Sequence, residues 1–143
     1  MLRNTADCQA DVERFISRVA ASETVWYLRS DHGTAFCESN DYTTDDDQPV
    51  TVLLFFSDEA YARRCQKAQF DDYTIESMTL FEFLFRWLPG MSGDGLLAGP
   101  NWSHELVGLE FDPFTLREQI DAALTPVQAA AHSERYSNLT QSS

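Results

Sequence analysis

The residues of this chain that could do chemistry are few and scattered. The histidines are His32, His104 and His132. None has a second histidine or a cysteine at ligand spacing, so the pattern offers no metal site. The cysteines Cys8, Cys37 and Cys65 are odd in number and widely spaced, which suggests neither a disulfide framework nor a zinc knuckle. Cys37 falls in a β-prone run and Cys65 on an apolar helix face, positions that suit small core residues better than nucleophiles. No serine stands in a nucleophile-elbow sequence. Carboxylates are plentiful, but a buried pair of them is set by the fold, so acid–base catalysis gains no support from sequence. The expectation is no catalytic residue, no cofactor and no metal.

The densest charge is the run from Glu38 to Asp47, which holds Glu38, Asp41, Asp45, Asp46 and Asp47 and no basic residue. It imitates a calcium loop in charge alone. The alternating spacing, the central glycine and the closing glutamate are missing. Like charges so close together repel and contribute nothing to folding. One reading is a solvated loop. The other is a surface, centred on Asp45, Asp46 and Asp47, that steers a cationic protein by long-range attraction.

The whole chain agrees in sign. With 23 acidic and 10 basic residues its net charge is −13. A nucleic-acid backbone or an anionic membrane would be repelled. A basic protein partner fits, and so does plain solubility. The N-terminus has no apolar run of a signal peptide, and no stretch of about 20 apolar residues could span a bilayer. A cytoplasmic location is expected. The sequons Asn101-Trp102-Ser103 and Asn138-Leu139-Thr140 then carry no meaning.

The stretch TLFEFLFRWLPGMSGDG holds the strongest structural signal. Eight of the ten residues from Leu80 to Pro89 are apolar. Leu80, Phe83, Leu84, Trp87 and Leu88 share one helical face, with Phe81 and Phe85 beside them. Only Glu82 and Arg86 interrupt, four apart in the favourable order. Ten residues of helix reach about 15 Å, too short for a membrane. The spacing predicts a buried core helix over 80–88, stopped by Pro89-Gly90. The glycines at 90, 93 and 95 follow this helix, whereas a phosphate loop must precede one.

The remaining elements frame that spine. Val12, Phe15, Ile16 and Val19 predict an amphipathic helix over about 7–21. Two β-prone runs around Ser30-Asp31-His32-Gly33 predict a hairpin, strands 24–29 and 34–38. VTVLLFF, residues 50–56, reads as a central strand covered on both faces. Ser57 reads as the cap of a helix whose apolar face carries Tyr61, Cys65 and Ala68. DYTIES is a short strand, and LLAG and HELVGLEF read as a second hairpin. Asp112-Pro113 opens a helix carrying Leu116, Ile120 and Leu124. Thr125-Pro126-Val127-Gln128 opens another as a capping box, ending near Tyr136 before a frayed tail. This is an α+β domain over residues 1–124, a largely antiparallel sheet of about five to six strands with four to five helices on it, followed by a short C-terminal helix and tail over 125–143. Trp26 and Trp87 read as core. Trp102, in GPNWSHE, either packs over a sheet end or anchors a partner.

The segments VWYL, SDEAYARRC, FEFLFRWLPGMSGDG and LVGLEFDP follow one another in the order and spacing of a bacterial family, domain of unknown function 2750. The sequence resembles that family over about residues 12–122, most specifically from Phe81 to Gly95. A proline and a tryptophan often stand there at the strand positions taken here by Leu54 and Phe56. The resemblance supplies no catalytic residues. In outline it is similar to small partner-binding or immunity modules. The functional expectation is thus a non-enzymatic interaction module with an acidic surface that meets a basic partner through Asp45, Asp46, Asp47 and Trp102. The alternative is a small-molecule-binding domain or enzyme with a pocket that sequence does not reveal.

Overall fold

The computed structural model describes residues 5–141; the side chain of Asp41 in the acidic run, and Ser142 and Ser143 of the C-terminal tail, lie outside the described residues. The chain begins with α1 (Thr5–Ser22), which buries Cys8, Val12, Phe15 and Val19. Next come β1 (Thr24–Ser30), β2 (Gly33–Thr34), β3 (Phe36–Thr43) and β4 (Pro49–Phe55). Helix α2 (Glu59–Gln69) and strand β5 (Thr74–Thr79) follow. The apolar spine, β6 (Leu97–Pro100), α5 (Pro113–Ala123) and α6 (Pro126–Gln141) complete the order.

The fold is α+β, as composition and pattern indicate, but the strands divide into two sheets. One has the order β2-β1-β5, the other β3-β4-β6. All pairings are antiparallel except β4 with β6. The sheets meet at Trp26 and Phe56, whose backbones exchange two hydrogen bonds of 2.8 Å. The strand expected over 34–38 is split between them. Ala35 donates to Leu28 O in one sheet and accepts from Leu54 N in the other, so the chain changes sheet at this residue.

Strand β4 is central, as its unbroken apolar run implies. Leu53 and Phe55 face a core of α1, the spine and α5, built on Phe15, Val19, Phe83, Leu84, Leu88, Leu116 and Ile120. Val52, Leu54 and Phe56 face a second core with Leu28, Ala62, Cys65 and Trp102. Two-sided burial is what keeps Val52 to Phe56 apolar.

Several expectations need correction. The acidic run is not all loop: Glu38 to Thr43 belongs to β3, with a register irregularity between these two residues. Pairing with β4 on either side of that irregularity, at Phe36 to Glu38 and again at Thr43, carries the strand through it. Only Thr44 to Gln48 turns, closed by Thr44 N donating to Gln48 O at 2.7 Å. Asp58, not Ser57, is the N-cap of α2, and Ala68 lies on its exposed side.

The spine does not stop at Pro89. It runs as α3 (Leu80–Glu82), a π-helical turn (Phe83–Trp87) and α4 (Leu88–Gly93). Leu88 N already bonds Phe83 O, five residues back. That wider turn makes room upstream of a ring that would strike the carbonyl four residues earlier, so the helix passes through the proline.

HELVGLEF is no strand beyond a single bridge from Phe111 to Ala98; it wraps Trp102 instead. Both helix starts at the C-terminal end form as predicted. Asp112 Oδ2 accepts from Phe114 N and Thr115 N, and Thr125 with Gln128 makes a reciprocal capping box. Helix α6 continues to Gln141, past the point where a tail was expected.

Candidate functional site

Helix α1 is amphipathic, and its wet side carries an ordered stripe. Asp7, Asp11, Arg14 and Arg18 recur at spacings of four, three and four, so they line one face, and each directly precedes a buried residue (Cys8, Val12, Phe15, Val19), which puts the stripe about 100° round the helix, beside the buried face. Helix α2 turns Tyr61 and Arg64 toward this stripe while Ala62 and Cys65 sink into the core. Between them lies the segment from Asn101 to Glu105. Together they line a polar cleft of about 750 Å3.

The floor is held by hydrogen bonds rather than by regular structure. Asn101 is buried with φ 50°, a left-handed conformation that asparagine tolerates. Its Oδ1 accepts from Ser57 N at 2.8 Å, and its Nδ2 donates to Ser57 Oγ at 2.9 Å and to Asp11 O at 3.4 Å. Ser57 Oγ donates to Asp58 Oδ1 at 2.6 Å. Asp58 Oδ2 accepts from Arg18 Nη1 at 2.5 Å. This circuit leaves α1 at Asp11, crosses the floor and the start of α2, and returns to α1 at Arg18. It accounts for Asp58 capping α2 without a side-chain cap bond, because its carboxylate is turned to Ser57 and Arg18.

Charge in the cleft is arranged around Tyr61. The guanidinium carbons of Arg18 and Arg64 lie 5.9 and 5.7 Å from its ring centroid, within cation–π range. Arg18 Nη1 also donates to Tyr61 Oη at 3.4 Å. Arg14 Nη1 bonds Asp11 Oδ1 at 3.2 Å. Arg64 has no carboxylate partner among the described residues. His104 and Glu105 stand on the rim.

Trp102 belongs to the floor. Its side chain is 3% exposed and its Nε1 donates to Leu109 O at 2.8 Å. Of the two readings of this residue, packing over a sheet end describes its geometry. Two glycines make the slot for the indole. A Cβ on Gly108 would lie 2.2 Å from Cδ1, and one on Gly99 would lie 2.7 Å from Nε1. Beneath the floor, Cys65 Sγ approaches Trp102 O and Ser103 O at 3.7 and 3.5 Å. Burial pushes this thiol up to about 12, and burial likewise pushes Cys37 up to about 11. Both hold their protons at neutral pH, and a thiol rather than a thiolate is a poor nucleophile.

Asp45, Asp46 and Asp47 are exposed on the β3–β4 turn, and none of them lines the cleft that Trp102 floors. The structure therefore does not gather the sequence-derived candidates into one site. His32 and His104 are exposed, but His132 is buried at 8% and bonds Glu23 Oε1 at 2.6 Å. Trp26 and Trp87 are partly buried against the two cores. Among the described residues no group of three or more His, Cys, Asp or Glu is placed to hold a metal ion, and no helix is long and apolar enough to cross a membrane. The cleft was not foreseen from sequence. Its one local signal was the stripe from Asp7 to Arg18.

Residues 12–120 match the model of the family described as Protein of unknown function (DUF2750), and the chain belongs to that family. No curated protein and no solved structure matches the chain. The matched span contains Arg14, Arg18, Tyr61, Arg64 and the whole floor, and it ends before α6.

Proposed function

We propose that this member of the family is a non-catalytic binding module whose working surface is the cleft between α1, α2 and the segment from Asn101 to Glu105. The observation that carries this reading is the cleft itself. Its volume is that of a small-ligand site, and its floor is fixed by buried hydrogen bonds before any ligand arrives. The raised thiol of Cys65 argues against covalent chemistry at that cysteine beneath the floor. The reading is tested by screening a mixed small-molecule library by NMR against the protein and against Ala10→Trp, which fills the cleft. Hits whose amide shifts fall on the cleft and vanish in the variant support it. Hits that map elsewhere, or survive in the variant, would remove it.

A second surface is favoured by a separate observation. Asp45, Asp46 and Asp47 are exposed in the turn between β3 and β4, with Thr44 Oγ1 accepting from Asp46 N and Gln48 N at 3.3 Å. We read this acidic turn as the part that steers a basic protein partner in the cytoplasm, as an immunity-like module would require. Changing the three aspartates to asparagine should lower the partner's association rate and flatten its salt dependence. An association rate equal to that of the unmodified protein at low and high salt would leave the turn as solubilising surface.

A further inference from the structure

We propose that the ligand of the cleft is a compact, multiply charged oxyanion, gripped by Arg64, Arg18 and Arg14 beside the Tyr61 ring; this rests on the reading of the cleft as the binding surface. Cations are scarce in this chain. The chain has 10 basic residues against 23 acidic ones, and three of its arginines line this one cleft. Against a net charge of −13, an anion meets least repulsion where the few cations are gathered.

The guanidiniums are positioned without being used up. A guanidinium has five N–H donors in a planar fork that fits two oxygens of a phosphate or carboxylate. Arg18 is oriented through Nη1 alone, by Asp58 and Tyr61 Oη. Arg14 is oriented through Nη1 by Asp11. Arg64 rests on the Tyr61 ring with no ion pair among the described residues. Each therefore keeps part of its fork for a ligand, and holding the forks in place beforehand reduces the ordering cost of binding.

The lining also holds Asp7, Asp11 and Glu105, equal in number to its arginines. That balance decides the kind of anion. A single charge gains little against three carboxylates. Two or more charges on one small body can meet Arg64 and Arg18 together. A long polyanion would have to leave the cleft across acidic surface, so the ligand is small. Pyrophosphate and citrate share the required chemistry and differ in source, one standing for phosphate esters and the other for polycarboxylates.

The test is calorimetric titration at low ionic strength with pyrophosphate, citrate and acetate. The variants are Arg64→Gln, Arg18→Gln and, as a control outside the cleft, Arg135→Gln, whose guanidinium lies over Phe81. Pyrophosphate or citrate should bind at least tenfold tighter than acetate, and the tighter of the two assigns the class. Arg64→Gln should weaken that binding about tenfold with little change in melting temperature, since it breaks no ion pair and gives up only a surface cation–π contact with Tyr61. Arg18→Gln should weaken it as much, and Arg135→Gln should leave it alone. Equal weakening by Arg135→Gln, or none by Arg64→Gln, would overturn the proposal. If neither multivalent anion binds while neutral fragments still occupy the cleft, the oxyanion assignment fails and the binding surface stands. If nothing occupies it, both fail.

Discussion

Gly108 lies against the flat of the Trp102 indole, so close that a methyl group there would overlap Cδ1 at 2.2 Å. The two residues define one another. Trp102 can turn inward to reach Leu109 O only because position 108 has no side chain, and the segment from Ser103 to Glu110 gives up strand pairing to cover it. Leu106 carries φ 62° within that segment, a left-handed conformation seldom held by a bulky residue unless its surroundings impose it.

Gly108→Ala should therefore destabilise by about 1–3 kcal/mol through overpacking and shift the Trp102 indole N–H resonance. Gly90→Ala is the counter-case. It sits in α4 with nothing within 4 Å of a new methyl group and no positive φ. It should stabilise by about 0.4–1 kcal/mol. Chemical denaturation of both variants checks the pair, and a stabilised Gly108→Ala would refute the slot.

The spine's core role rests on Phe83, which is fully buried with its ring 4.8 Å from Phe55 and 6.2 Å from Phe15. Phe83→Ala should cost about 3–5 kcal/mol. Trp87 is partly exposed, although its ring lies 5.2 Å from that of Tyr27, so Trp87→Ala should cost less. Glu82→Ala, on the wet side, should cost a few tenths. Denaturation midpoints in that order are the expected result. A Phe83→Ala variant as stable as Glu82→Ala would mean the core is misplaced.

What could be read from sequence was local. The Asp112 cap and the Thr125–Gln128 box are made between residues two or three apart, so their chemistry is written in adjacent letters. The two-sided burial of β4 was legible because an apolar run too short for a helix fits little else. The strand misread over 104–111 failed for a non-local reason: alternation there serves to enclose Trp102. The helix through Pro89 was hidden because the π-turn that admits it has no residue signature. The cleft joins α1, α2 and a loop from three distant parts of the chain, and neither periodicity nor motif reports that meeting.

Helix α6 is tied down by a few side chains near its start and middle. Gln128 Nε2 donates to Ala20 O at 2.7 Å, and His132 bonds Glu23 while stacking on Phe81 at 5.8 Å. His132→Ala should loosen this helix by about 1–3 kcal/mol, because a buried bond is lost. Hydrogen exchange should then accelerate across α6 and stay unchanged in α5. Unchanged exchange in α6 would show that the tether carries no weight.

The buried thiols predict how stability changes with alkali. Folding holds the Cys65 proton up to about 12, against an ordinary value of 9.0. Above pH 9.0 the unfolded chain releases that proton and the folded chain does not, so stability falls as pH rises from 9.0 toward 12. The slope is about 1.4 kcal/mol per pH unit for this group. Cys65→Ala removes the contribution, so its stability should fall less steeply than that of the unmodified protein. Melting curves from pH 9 to 11 compare the slopes. Parallel slopes would show that Cys65 is not buried as described.

The claim that the cleft is the working surface is tested most directly by soaking crystals with a diverse fragment library and locating the bound density. The account predicts fragments between Arg18, Arg64 and Ser103, over the floor that Asn101 and Trp102 form. Density only in the apolar groove beside Ile16, Ala20 and Ala123, with the arginine cleft empty, would contradict it.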